Sequence, residues 1–404
     1  MHSNKRRLAI TGVTGLLGRN LLFEVIKNHL SRLDQLEIFV FGRRDRQGVP
    51  LQERLRHILL GDGAEYLGIG GQLLDSLVAP SSNVIKYVEM DFDSDVFHIE
   101  QDVLNDLRSS PLDWFFHVAG LTDLRSTPAA LMNLRRTNIE GTRRVLELVS
   151  HLRVNEFCYV GTAYACGMSS GRLQPDYVNP AETFRSPYEK SKVEAEVLVR
   201  EFAKSTGVRC RYFRPATICG RLLELPLGSV SNFDVFYSWP AFFFRLKLKG
   251  AGVRGPVNHN CELNVRVCYS RKSGLNIVPV DYVVKVMYLI CEQDDPGESY
   301  HLVNNVETPH DFYIPRMLDA VGISGVTQVD RVPEDRTFLE NLYYRTIGSL
   351  YTPYITCEPM LFDVSNLQRL LKKFDLRCPT LDEKALGILM HYAKDRDFGL
   401  TIRQ

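Results

Sequence analysis

The chain has 404 residues, 45% of them hydrophobic and 24% charged, and 49 Lys+Arg against 48 Asp+Glu leave a formal charge of +1. These totals describe an ordinary globular protein with apolar material for one large or two closely joined domains, and they give no electrostatic argument for nucleic acid or an anionic membrane surface. The nine cysteines form no C-x-x-C pair, which argues for core thiols in a reducing, cytoplasmic setting and against structural zinc or another metal.

The basic stretch 1–7 passes straight into an apolar run at 8–10, with no signal-peptide core between them. That run reads as a buried strand. Gly12, Gly15 and Gly18 follow, and then Leu21, Leu22, Val25 and Ile26 recur at helical spacing. A strand that turns through glycines into a helix offers unpaired N–H groups and a positive dipole end to a phosphate. Gly12 suits the tight turn, Gly15 the close approach of a pyrophosphate, and Gly18 the packing of helix on strand. Thr14, Leu16 and Leu17 complete this candidate nucleotide loop. Residues 36–41 read as a second strand ending in Gly42-Arg43-Arg44. An acid near this point suits the ribose hydroxyls of NAD, whereas arginine suits the 2′-phosphate of NADP. Arg43 and Arg44 therefore point to NADPH, with a solvated basic turn as the alternative, and a helix at 52–60 adds Arg54 as a further phosphate contact.

A third strand at 84–89 leads to Asp91-Phe92, where Asp91 either bonds the adenine amino group or caps the next helix. The fourth strand, 114–118, ends in His117-Val118-Ala119-Gly120. Val118, Ala119 and Gly120 are small enough for a cofactor to pass over the strand end, and His117 reads as a packed residue. A long helix at 131–152 contains Asn138 and Thr142, and a fifth strand at 156–161 runs into Thr162. Pro187 then opens a helix through 202 that carries Tyr188 and Lys192 four apart, on one face. Of 18 tyrosines only Tyr188 has a lysine at that spacing. A phenol has a pKa near 10, and the Lys192 ammonium is expected to favour the phenolate and ease proton donation. A sixth strand at 209–214 is followed by Pro215 and Thr217, which close the nucleotide half.

From 220 to 274 the organisation loosens. The aromatic-rich stretch 233–244 reads as substrate lining or as the core of a small cap, and 254–272 as polar and irregular. A strand at 300–303 and helices at 309–321, 336–349, 364–374 and 381–392 follow. No uninterrupted apolar run reaches the ~18 residues of a membrane helix; the strongest candidate, 275–290, carries Asp281 and Lys285. Strands alternating with helices predict an α/β, doubly wound parallel sheet. The expected division is a nucleotide-binding domain at 1–220, with strands added from 275–305, and a smaller, mostly helical substrate-binding portion from 221–274 and 306–404.

With these residues assembled, the chain resembles an extended short-chain dehydrogenase/reductase. The resemblance rests on Thr11-Gly12-x-x-Gly15-x-x-Gly18, Asp91, Asn138-x-x-Gly-Thr142, Thr162, Tyr188 with Lys192, and Arg214-Pro215. More narrowly it is similar to thioester reductase domains and fatty acyl-CoA reductases. Arg43 followed by Glu53-Arg-Leu, Thr162-Ala-Tyr164, Ser191-Lys192 with Glu196, Val278-Pro-Val-Asp-Tyr282 and Phe362-Asp363-x-x-Asn366 carry that likeness. The family's frequent serine before the threonine is Gly161 here. The resemblance implies Thr162, Tyr188 and Lys192 as the catalytic set and NADPH as cofactor. It implies as substrate an acyl thioester delivered by a carrier protein or CoA, reduced to aldehyde or further to alcohol. The chain shows no carrier-type Leu-Gly-x-Ser motif or adenylation segment, so the acyl group is expected in trans. A sugar-nucleotide epimerase or dehydratase, a hydroxysteroid-type dehydrogenase and a non-catalytic NADP-binding regulator are the competing readings. Acyl identity and oligomeric state are left open by the sequence.

Overall fold

The computed structural model describes residues 5–79, 81–90, 99–250 and 260–400. Seven strands build one sheet: β1 (Arg6–Thr11), β2 (Leu36–Gly42), β3 (Ile85–Glu89), β4 (Leu112–His117), β5 (Val154–Val160), β6 (Arg209–Pro215) and β7 (Ser299–Leu302). Their order is β7-β6-β5-β4-β1-β2-β3, and every neighbouring pair is parallel. The chain therefore begins in the middle, winds to one edge, crosses back and fills the other half. That reversal opens a crevice beyond the ends of β1 and β4, the place where doubly wound sheets hold ligands.

Both faces of the sheet are covered, which is why its strands read as nearly continuous apolar runs. Leu8 and Ile10 of β1 join the core on one face with Val40 and Phe116. Ala9 joins Phe39, Phe41, Phe115 and Phe157 on the other. The helix Leu16–Lys27 buries Leu21, Leu22, Val25 and Ile26 and packs on the helix Val280–Glu292. The helix Pro187–Thr206 covers the opposite face, where Ala195 and Val199 enter the second core.

The structure differs from the sequence reading in three places, and at a fourth it shows both of the roles expected. The stretch read as irregular contains a strand, Cys261–Cys268, paired in parallel with Ile323–Val329; residues 254–259 lie outside the described ones. The expected helix 336–349 is two, Phe338–Arg345 and Ile347–Ile355, broken where Thr346 takes φ −115°, ψ −103°. The helix expected at 131–152 begins earlier, at Pro128, with Thr127 Oγ1 accepting the Ala130 N–H as its cap, and its Arg135–Glu140 turn is π-helical. The 233–244 aromatics divide between both expected roles: Phe236 and Tyr237 face the cleft, while Trp239 and Phe243 pack with Tyr343.

Two motifs of the sequence act as braces. The buried Asp281 carboxylate accepts the backbone N–H groups of Leu223 (2.6 Å), Glu224 (2.8 Å) and Leu222 (3.1 Å), tying the loop after β6 to the Val280–Glu292 helix. Asp363 takes the Arg172 guanidinium, and Asn366 donates to the Ser299 carbonyl at 2.7 Å, so the tail grips β7. Among the described residues no helix is long and apolar enough to cross a membrane.

Candidate active site

A cavity of about 710 Å³ runs from the glycine loop to the helix Ile347–Ile355. Its nucleotide end is shaped by missing side chains. Gly12 has φ +76°, and a Cβ there would lie 2.7 Å from the Ala119 nitrogen; a Cβ on Gly18 would overlap the Gly12 carbonyl. The helix Leu16–Lys27 starts at Gly15 with no side-chain cap and no acid in its first turn, leaving N–H groups and a positive dipole end for an anion. Thr14, Leu16 and Leu17 line the cavity beside Gly12, Gly15 and Gly18. This cradle fits the diphosphate of a dinucleotide.

Arg43 and Arg54 both reach the cavity, and the Arg54 Nη1 donates to the Arg43 carbonyl at 2.8 Å. Arg44 does not line it. Successive side chains at a strand end diverge, and Arg44 instead pairs with Glu89 at 2.9 Å and bonds the Gly48 carbonyl. Asp91 and Phe92 lie outside the described residues.

Val118, Ala119 and Gly120 form the floor, with Pro215 and Thr217 beside them. His117 is closed off beneath, its two ring nitrogens 2.9 Å from Thr11 Oγ1 and 3.0 Å from Thr142 Oγ1, and burial lowers its pKa to about 3. Thr162 follows β5, and Tyr188 and Lys192 occupy the first two turns of the helix Pro187–Thr206 capped by Ser186. All three enter the cavity. Asn138 fixes this geometry: it accepts the Leu121 N–H at 2.7 Å and donates to Ser191 Oγ at 2.9 Å, joining the loop of Gly120 and Thr122 to the helix of Tyr188. Its role was visible in the sequence only as the Asn-x-x-Gly-Thr pattern; Thr122 carried no signal.

The electrostatics run against one expectation. Burial pushes the Tyr188 phenol up to about 12, opposed by hydrogen bonding with Thr122 and Thr162. Burial also brings Lys192 down to about 8, with Glu196 opposing, and its Nζ lies over the Tyr159 ring at 4.7 Å. The lysine is not what sets the phenol here: burial dominates, and the charge of Glu189 adds to it. Tyr188 is thus a protonated donor throughout the neutral range. Gly161 also has a physical reason: a Cβ there would come within 3.2 Å of Glu196 Oε2, crowding the carboxylate that pairs with buried Arg214.

Comparison with known proteins follows the same lines. A family model described as "Male sterility protein" matches residues 10–287. The chain belongs to that family. It is an NAD(P)-dependent oxidoreductase type with the extended short-chain dehydrogenase/reductase fold. This male sterility family chain is 21% identical over 301 residues to a linear gramicidin synthase polypeptide of Brevibacillus parabrevis, a match covering 71% of the chain but 5% of that much longer protein. Its fold matches the terminal R domain of the myxalamid PKS-NRPS pathway with a TM-score of 0.70 at 20% identity, over 98% of this chain and 93% of that one. A thiolation-reductase di-domain of an archaeal non-ribosomal peptide synthetase gives 0.66 at 18% identity, over 97% and 76%. UDP-glucuronic acid 4-epimerase of Bacillus cereus with NAD gives 0.59 at 13%, over 98% and 99%.

Proposed function

We propose that the protein is an NADPH-dependent reductase of acyl thioesters presented by a carrier protein or CoA. One observation carries this reading: Thr162, Tyr188 and Lys192 line the same cavity as the glycine loop, Arg43 and Arg54. Arg43 and Arg54 hold the 2′-phosphate, and Lys192 bonds the nicotinamide ribose. A bound reduced nicotinamide supplies the hydride. Tyr188 and Thr162 hold the thioester oxygen as negative charge develops on it, a task for preorganised donors in a dry site, and Tyr188 gives it a proton. The resulting hemithioacetal collapses to aldehyde and thiol, so one NADPH and one proton are consumed per acyl group. The R domain and thiolation-reductase neighbours support a thioester substrate, and the arginines favour NADPH over the NAD of the epimerase neighbour.

Incubating the protein with NADPH and a panel of acyl-CoA and acyl-pantetheine thioesters tests the reading; nucleotide oxidation with release of free thiol is expected, and neither with any chain overturns it. The Arg43→Ala/Arg54→Ala double variant should raise the KM for NADPH by about 10–100-fold, the worth of one or two charge-assisted hydrogen bonds, with little change for NADH. An equal effect on both nucleotides would remove the phosphate role. The pH profile follows from the two perturbed groups. Lys192 is charged below about 8 and loses its proton above it, while Tyr188 stays protonated to about 12. The free-enzyme kcat/KM is therefore expected to fall as pH rises through about 8. A profile flat to pH 10 would assign that limb elsewhere.

A further inference from the structure

Beyond the glycine loop the cavity is walled by phenol rings whose hydroxyls are engaged with the protein itself. Tyr164, Tyr237, Tyr351 and Tyr354 all line it, with Val230 and Leu275 beside them. The Tyr164 hydroxyl meets Thr217 Oγ1 at 2.9 Å, and the Tyr237 oxygen accepts the Gly220 N–H at 2.9 Å. Tyr351 donates to the Val235 carbonyl, and Tyr354 meets Ser186 Oγ at 2.9 Å. Glu189 is fully buried and directs its carboxylate to the Arg185 N–H and the Tyr354 hydroxyl. Tyr164, Tyr351 and Tyr354 keep 6%, 8% and 8% of their surface open. With their hydroxyls taken, what they offer an occupant is ring carbon. The polar lining residues Asn232 and Asp234 are exposed and bond each other, which places them at the rim.

Two of the rings flank the reacting centre. The Tyr164 N–H donates to Thr162 Oγ1 at 3.3 Å, and Ser186, which holds Tyr354, caps the helix that carries Tyr188. These two rings stand 5.7 Å apart at 88°. Tyr351 lies one turn before Tyr354 on the same helix. A hydroxyl or amine pressed against such a wall loses its water and gains no partner from the rings. A third aromatic ring, by contrast, gains edge-to-face contacts beyond the area it buries.

We propose that this wall is the acyl subsite and takes an arylalkanoyl group, apolar up to the thioester, in preference to aminoacyl, hydroxyacyl and straight alkyl groups. This rests on the reductase reading for placing the thioester carbonyl at Tyr188 and Thr162, while the selectivity itself is a binding property. Each ring is pinned by its hydroxyl, so the wall is set before the ligand arrives. A rigid aryl group loses few rotors on meeting it, whereas a straight chain must surrender many.

The test uses methylene ketone analogues of pantetheine thioesters, in which CH2 replaces the sulfur. The acyl parts are 3-phenylpropanoyl, 2-amino-3-phenylpropanoyl, 2-hydroxy-3-phenylpropanoyl, and nonanoyl with the same carbon count. Affinities are measured by calorimetry, with NADP present, for the native protein and Tyr351→Leu. Leucine keeps the wall apolar, and the Val235 carbonyl retains the Ser238 hydroxyl at 3.0 Å. The native protein is expected to bind the phenylpropanoyl analogue about tenfold or more tighter than either polar one, and about threefold or more tighter than nonanoyl. Tyr351→Leu is expected to erase the advantage over nonanoyl and to keep the discrimination against the polar analogues. A polar analogue or nonanoyl binding as tightly as phenylpropanoyl overturns the proposal, as does an aryl advantage that the variant leaves unchanged. Turnover of 3-phenylpropanoyl-pantetheine with NADPH reports on the reductase reading alone: selective binding without turnover sinks that reading and keeps the subsite.

Discussion

Tyr188→Phe is expected to lower kcat/KM for thioester reduction by about 10²–10⁴-fold, the usual worth of a positioned general acid, with nucleotide affinity and stability nearly unchanged. The substitution removes one hydroxyl and keeps the ring that lines the cavity. The phenol interacts with Thr122 and Thr162 and with no backbone group that needs it, so no buried partner is left charged. Its pKa of about 12 strengthens the expectation, because the phenol carries its proton at every accessible pH and its loss cannot be offset by changing buffer. Steady-state kinetics with nucleotide titration measures this. Activity within threefold of the native protein would remove Tyr188 from the chemistry and revive the reading of a nucleotide-binding regulator.

Glu196→Ala is expected to cost about 3–5 kcal/mol of stability, the penalty for leaving a buried charge without its partner. Glu196 sits on the helix that carries Tyr188 and Lys192. It receives Arg214 Nη2 at 2.7 Å and Nε at 3.1 Å, with both side chains 1% exposed, and Arg200 at 2.8 Å. The pair binds that helix to β6, so its loss also loosens the catalytic pair. Denaturant unfolding measures the cost. Because replacing both members by apolar residues avoids the orphaned charge, Glu196→Leu/Arg214→Met should recover most of it. A single variant within 1 kcal/mol of native would show that the pair contributes little.

The sheet was legible because strands buried on both faces stand out as apolar runs, and because glycine spacing marks where the first one turns. The Cys261–Cys268 strand was not, although it alternates apolar and polar residues over 261–267, because it lies inside a polar stretch and has its partner some sixty residues on. Most proposed site residues could be read from local motifs, and the structure brings them to one cavity. Arg44 could not be separated from Arg43 by sequence, because which way each points depends on the β2 strand end and on Glu89. The phenol's proton affinity was misjudged for a similar reason. A lysine four residues away is visible in sequence, whereas the desolvation that dominates the phenol is set by walls drawn from many segments.

Transfer of label from NADPH deuterated at the nicotinamide C4 tests the central claim most directly. With an acyl-pantetheine substrate and the native protein, mass spectrometry should find an aldehyde carrying one deuterium at its carbonyl carbon, with one equivalent of free thiol, and Tyr188→Phe should abolish both. Aldehyde without label, or no aldehyde from any thioester while the nucleotide binds, would contradict the account.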